Sequence, residues 1–174
     1  MLTRLLTHSP RLLGALAYAA LFCSTAQAQF RLTEPNENWT EDEVPAPPAF
    51  KTNKLIKVEG PISSSLSFGI DPDTLSIGKG QVVRYVLVMQ GPAATTVVYE
   101  GLRCSTGEKR VYARRNGDSD WETVKEGWMP LNQSSATRYA LNMARDGVCI
   151  GTATNNSVRD IVRDLQSPKG TLYR

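Results

Sequence analysis

The stretch VVRYVLVM at residues 82–89 decides the fold class of this 174-residue chain. Val83, Tyr85, Leu87 and Met89 form one face of an extended chain, and valines form most of the other face. A strand that is apolar on both faces is buried between two layers. The stretch therefore predicts the central strand of a sheet.

Turn signals on both sides of this stretch predict further strands. Downstream, Gly91-Pro92, Ser105-Thr106-Gly107 and Asn116-Gly117 precede predicted strands at residues 95–104, 109–114 and 121–124. Upstream, residues 66–70 and 74–77 predict two shorter strands, which end at turn residues. Short connections join antiparallel neighbours, so residues 82–124 predict a four-stranded antiparallel meander.

Helical spacing replaces strand alternation near the C-terminus. The first predicted helix spans residues 135–145 and ends at Gly147, with Ala136, Tyr139 and Met143 on one face. The second begins at Ser157, with Asp160 in a capping-box position. Strands followed by helices predict an α+β fold, here a meander followed by two C-terminal helices.

The N-terminal residues have the pattern of a secretory signal peptide. Arg4 and Arg11 precede an apolar run at residues 12–22, and Ala26-Gln27-Ala28 provides small residues for cleavage. The run is shorter than the roughly 20 residues that cross a bilayer. We predict a signal peptide at residues 1–28, a periplasmic or secreted protein, and no integral membrane segment after its removal.

Signal removal would change the charge and the available chemistry. The whole chain has 20 Lys and Arg, 17 Asp and Glu and a net charge of +3, and losing Arg4 and Arg11 leaves +1. This balance gives no support for a nucleic acid partner. His8, the only histidine, would also be removed, which excludes histidine-dependent catalysis, His-ligated metals and ordinary haem ligation. We predict no cofactor and no metal site.

Two cysteines, Cys104 and Cys149, would remain after removal of Cys23. An even pair in an oxidising compartment predicts a disulfide. The bond would close a loop of about 45 residues and stabilise the fold by about 4 kcal/mol on the chain-entropy model. It would link the helical tail to the strand that ends at Cys104.

An extended arm is predicted at residues 29–53, before an α+β domain at residues 54–174. The arm is first acidic and then rich in proline, a composition that buries little apolar surface. We therefore expect it to contribute little to core stability. Trp39 and Phe50 are the exceptions, because such aromatic residues often pack against a domain.

The hexapeptide YEGLRC at residues 99–104 carries a resemblance to a known family. With VVRY at residues 82–85, Tyr112-Ala113, Trp121 and Trp128, it resembles the cryptic neisserial protein family, small exported bacterial proteins of uncharacterised function. The likeness covers about residues 39–149. The turn at residues 91–96 and the tail after Cys149 depart from the family pattern. The resemblance implies export and a shared fold, and it implies no activity.

Arg84 and Glu100 each interrupt an apolar face of adjacent predicted strands. If Met89 lies opposite Thr95, Arg84 lies opposite Glu100 on the same face, and a slip of one residue would separate them. One interpretation is a buried ion pair that holds the strand register. The other is a ligand or catalytic site at Glu100, since a partly buried carboxylate often has a perturbed pKa.

A cluster of cations is predicted on neighbouring strands: Arg103, Lys109, Arg110 and Arg114, with Arg115 beside them. They form either a solvated face or a site for an anionic envelope component, such as a lipid headgroup or wall polymer. The sequence thus favours a non-enzymatic binding or accessory domain of the cell envelope. The alternative is a periplasmic hydrolase with paired carboxylates that include Glu100, a mechanism that needs no histidine.

Overall fold

The computed structural model describes residues 38–167. The predicted signal peptide at residues 1–28 lies outside the described residues, as do residues 29–37 of the predicted arm and residues 168–174. The described strands form one eight-stranded antiparallel sheet and a separate two-stranded hairpin. Two α-helices follow the large sheet, so the predicted α+β class is confirmed.

The large sheet is built around its longest strands. Its strands are β1 (Ile56–Val58), β2 (Ser67–Ile70), β3 (Ser76–Ile77), β4 (Val82–Gln90), β5 (Thr95–Arg103), β6 (Glu108–Asn116), β7 (Glu122–Thr123) and β8 (Met129–Pro130). Neighbours run in the order β1-β2-β4-β5-β6-β7, while β3 also pairs with β4 and β8 with β6. Residues 82–88 are all buried, which confirms the central strand, and β4 to β7 form the predicted meander. The sequence did not indicate β1 or β8.

The C-terminal region contains two helices separated by the small hairpin. After a 3-10 turn, α1 (Arg138–Met143) continues into a π-helical turn that contains Gly147 at a φ of 150°, a conformation that favours glycine. The hairpin strands are β9 (Cys149–Ile150) and β10 (Ala153–Thr154), and α2 (Val158–Gln166) follows. Ser157 Oγ accepts a hydrogen bond from the Asp160 N–H at 3.1 Å, so the predicted cap of α2 is confirmed.

Apolar side chains bury both faces of the sheet. On one face, Val83, Tyr85 and Leu87 pack with residues of both helices. On the other face, Val86 and Val88 belong to a smaller cluster. Partly buried residues cover this cluster, and they include Val44 and Phe50 from the N-terminal side. We call these the helix face and the strap face.

The strap consists of residues 38–53, which contain no helix or strand. Trp39 Nε1 donates a hydrogen bond to the Gly80 carbonyl at 3.0 Å, and the Phe50 ring lies 6.1 Å from the Trp121 ring in an edge-on arrangement. The Lys51 backbone N–H donates to the Asp71 carboxylate at 2.6 Å. These contacts give the strap a structural role that its acidic, proline-rich composition did not indicate.

The disulfide joins Cys104 at the end of β5 to Cys149 at the start of β9. The two residues are 45 positions apart, with their Cα atoms separated by 5.7 Å. This confirms the predicted pair. The bond links the meander to the helical tail.

Candidate functional site

The β4–β5 register assigns Arg84 and Glu100 to different faces. Gln90 lies opposite Thr95 because the connection between the strands has four residues. The predicted register, with Met89 opposite Thr95, is wrong by one residue. Side chains alternate between faces, so Arg84 lies on the strap face and Glu100 on the helix face. The predicted Arg84–Glu100 pair is therefore wrong, although their exposed fractions are only 2% and 1%.

Glu100 is held by three side chains on the helix face. Lys109 Nζ lies 2.8 Å from Glu100 Oε1, and the Tyr139 hydroxyl donates to the same oxygen at 2.6 Å. The Tyr85 hydroxyl donates to Oε2 at 3.1 Å. Lys109 Nζ also donates to the Tyr139 hydroxyl oxygen at 2.6 Å. We call these four buried residues the carboxylate network.

Burial raises the pKa of the Tyr85 and Tyr139 hydroxyls well above the ordinary value of 10.0, and the nearby charge of Glu100 raises them further. Both phenols therefore stay protonated and act as donors. Each oxygen of Glu100 thus has a hydrogen-bond donor from a fixed side chain.

A β-bulge brings Lys109 to Glu100. The pairing of β5 with β6 shifts by one residue between Tyr99 and Glu100, which leaves Tyr112 as an extra residue on β6. Beyond the shift, Lys109 lies opposite Leu102 and shares the helix face with Glu100. Without the shift, alternation would place Lys109 on the strap face.

A cavity of about 470 Å³ adjoins the carboxylate network. Its volume lies within the range of small-molecule sites, roughly 300–1,000 Å³. Its lining residues come from the sheet, the β7–β8 region and the start of the helical segment: Met89, Thr96, Val98, Glu100, Lys109, Val111, Arg114, Asn116, Glu126, Met129, Gln133, Ser134, Ala136, Thr137 and Tyr139.

A second group of charges lies on the strap face, where Arg84 meets acids of the strap. The Nη1 and Nη2 atoms of Arg84 each lie 3.1 Å from one carboxylate oxygen of Asp42, and Nη2 also lies 3.3 Å from Glu41 Oε1. Arg110 Nη1 lies 3.1 Å from Glu41 Oε2, and the Tyr112 hydroxyl donates to Glu41 Oε1. We call these five residues the arginine site.

Asp42 and Arg84 shift each other's pKa at the arginine site. Hydrogen bonds from the Arg84 guanidinium lower the pKa of Asp42 below its ordinary value of 3.8. Burial by itself lowers the pKa of Arg84, but the hydrogen bonds and charges of Asp42 and Tyr112 together outweigh it, and the net pKa is raised. The chain's own carboxylates therefore pair with both arginines of this site.

The predicted cation cluster is divided between the two faces. Arg103 stacks on the Trp39 ring, with its guanidinium carbon 3.8 Å from the ring centroid, and Arg110 pairs with Glu41. Lys109 belongs to the carboxylate network, and Arg114 lines the cavity. Lys109 and Arg114 are the two of the four predicted cations that share the cavity.

A model of the CNP1-like family matches residues 34–166. The chain belongs to the CNP1-like family. The match includes the strap, the carboxylate network and the arginine site, and it is consistent with the family resemblance of the sequence. Searches of curated proteins and of solved structures each found no match.

Several residues of this CNP1-like site were not indicated by sequence reasoning. The sequence indicated Glu41 and Asp42 only as part of an acidic composition, although they closely follow the anchoring residue Trp39. Tyr85 and Tyr139 were assigned to apolar faces without a role for their hydroxyls. A buried tyrosine hydroxyl usually has a hydrogen-bond partner, and this was the available signal.

Within residues 38–167 the CNP1-like domain has no group of three or more His, Cys, Asp or Glu side chains arranged to hold a metal ion. In the same range no helix has the length and apolar character needed to cross a membrane.

Proposed function

We propose that this CNP1-like protein is an exported, non-enzymatic binding domain of the cell envelope, and that its ligand enters the cavity beside the carboxylate network. The cavity is the observation that supports the proposal. It is about 470 Å³ in volume, within the range of small-molecule sites, and its lining combines five apolar side chains with charged and polar ones.

The state of Glu100 supports binding over hydrolysis. A paired-carboxylate hydrolase needs one acid that donates a proton and a second that acts as base or nucleophile. Glu126 lines the same cavity, but Glu100 accepts hydrogen bonds from Lys109 and two phenols. An ion-paired acceptor of this kind is poorly suited to donate a proton to a leaving group.

The export part of the proposal is supported by the signal-like N-terminus and the disulfide. Structural disulfides persist in oxidising compartments such as the bacterial periplasm. Cell fractionation of the full chain, with its N-terminus intact, tests this part. We expect a shortened protein in the periplasmic fraction or the medium, whereas full-length protein in the cytoplasm would contradict export.

Blocking the cavity tests the binding part. Ala136 is exposed and lines the cavity, so Ala136→Trp should obstruct it without touching Glu100. Ala153→Trp is the matched control, because Ala153 is exposed and does not line the cavity. Thermal shifts would be measured with amino acids, monosaccharides and short-chain fatty acids.

We expect at least one compound to raise the melting temperature of the wild type and the control but not of Ala136→Trp. Equal shifts in all three proteins, or no shift with any compound, would contradict binding in this cavity. Turnover of a bound compound that Glu100→Gln abolishes would favour the hydrolase instead.

A further inference from the structure

Two of the charged groups that line the cavity have no ion-pair partner among residues 38–167. Four charged residues line it: Glu100, Lys109, Arg114 and Glu126. Glu100 and Lys109 form a buried ion pair at 2.8 Å, so their charges compensate each other. Within residues 38–167, neither Arg114 nor Glu126 makes an ion pair or a side-chain hydrogen bond, and both are exposed. The cavity therefore offers one cation and one anion to a ligand.

The positive charge of Arg114 acts on the interior of the cavity. It opposes the rise in the pKa of Tyr139, which burial dominates, so its field reaches the carboxylate network. Lys109 adds a further donor there. An ammonium group has three N–H donors, and Glu100 and Tyr139 receive two of them.

Of the eleven other residues that line the cavity, five are apolar and six are polar. Met89, Val98, Val111, Met129 and Ala136 all line the cavity. Two of these five are methionines, whose flexible side chains adapt to ligands of different shape. A ligand for this cavity thus needs an apolar part as well as two opposite charges.

We propose that the cavity binds a free hydrophobic α-amino acid, with its carboxylate at Arg114, its ammonium at Glu126 and its side chain against the apolar wall. This inference rests on the proposed binding function. The planar guanidinium of Arg114 matches a carboxylate with two parallel hydrogen bonds. Glu126 supplies an acceptor for the ammonium group.

Charge complementarity disfavours the two singly charged alternatives. A simple anion leaves Glu126 near a like charge, and a simple amine leaves Arg114 near one. Either ligand also gives up one of the two charged contacts. A zwitterion alone satisfies both groups, which distinguishes this ligand from the anionic envelope components that the sequence suggested.

Isothermal titration calorimetry on the purified exported form tests the inference. The probes are L-leucine and L-methionine, with 4-methylpentanoate and 3-methylbutylamine as leucine analogues that lack one charge each. We expect binding of the amino acids and at least a tenfold weaker affinity for both analogues. Arg114→Gln and Glu126→Gln should each weaken amino acid binding at least tenfold.

Two variants control for a general effect of charge removal. Arg145→Gln and Glu43→Gln neutralise exposed side chains that do not line the cavity, and they should bind like the wild type. Analogue binding equal to that of leucine, or unchanged binding in Arg114→Gln and Glu126→Gln, would overturn the inference.

The outcomes also separate this inference from the binding function on which it rests. If leucine and methionine fail but another compound binds and Ala136→Trp blocks it, the zwitterion inference is overturned and the cavity function stands. If no compound binds the wild type, both are overturned.

Discussion

Neutralising the strap acids should destabilise the whole domain, because it removes both carboxylate partners of a buried cation. Arg84 has a side chain only 3% exposed, and Glu41 and Asp42 provide its ion pairs. We consider the double variant Glu41→Gln/Asp42→Asn, which keeps the shape of both side chains. Arg110 loses its ion pair with Glu41 in the same variant.

The expected cost follows from the burial of Arg84. Removing one partner of a buried pair costs about 3–5 kcal/mol, since a charge stays buried without compensation. The Asp42 side chain is 26% exposed, so water offsets part of this loss and about 3 kcal/mol is expected. At about 4 °C per kcal/mol for a domain of this size, the melting temperature should fall by about 12 °C.

Circular dichroism melts under non-reducing conditions measure this fall. Glu43→Gln is the matched control, because Glu43 is the next acid in the strap, is exposed and makes no ion pair with residues 38–167. Adding Arg84→Met to the double variant should recover part of the loss, since the stranded charge is then removed. A melting temperature within about 2 °C of the wild type would refute the reasoning and restore the expectation that the arm contributes little.

Three further predictions concern the disulfide, the carboxylate network and Asp42. Intact-mass analysis of the exported protein should show a gain of two hydrogens on reduction of the Cys104–Cys149 bond, and labelling by a thiol reagent before reduction would contradict it. Tyr139→Phe should lower the free energy of unfolding in urea by about 1–3 kcal/mol, because Lys109 and Glu100 lose a buried partner. Tyr99→Phe is its control, since the Tyr99 hydroxyl makes no hydrogen bond to the described residues, and equal losses in both would exclude a specific role for the network. Arg84 lowers the pKa of Asp42 in the folded protein, so the stabilisation from this pair is complete above the ordinary pKa of 3.8 and declines as pH falls through the lowered pKa. Asp42→Asn should remove this part of the pH dependence of the free energy of unfolding. Acid-unfolding curves of the same shape for the variant and the wild type would count against it.

The long strands and the two C-terminal helices could be predicted because their determinants are local. The apolar run at residues 82–89 marks the central strand, and turn residues mark the ends of its neighbours. Ser157 and Asp160 mark the start of α2 through a contact between residues three positions apart. Such signals need no knowledge of the tertiary fold.

The site could not be predicted because it depends on two one-residue details and one distant segment. The four-residue β4–β5 connection separates Arg84 from Glu100, and the bulge beyond Tyr99 brings Lys109 to Glu100. Neither detail changes the alternation of apolar residues. Asp42, the partner of Arg84, lies 42 residues earlier in the sequence, and no local periodic pattern predicts a contact between residues so far apart.

Both buried charge groups also specify the register that creates them. A slip of one residue in β5 would turn Glu100 to the strap face, where it would meet the carboxylates of Glu41 and Asp42, and would leave Lys109 without its partner. Arg84 and Arg110 are already paired on the strap face, so they would not compensate an added acid. Because an apolar strand tolerates a slip more readily than a strand with a paired charge, Glu100 and Arg84 add specificity to a region whose valines alone would fit more than one register. The same register that completes these pairs also brings Lys109 and Arg114 to the helix face, where both line the cavity.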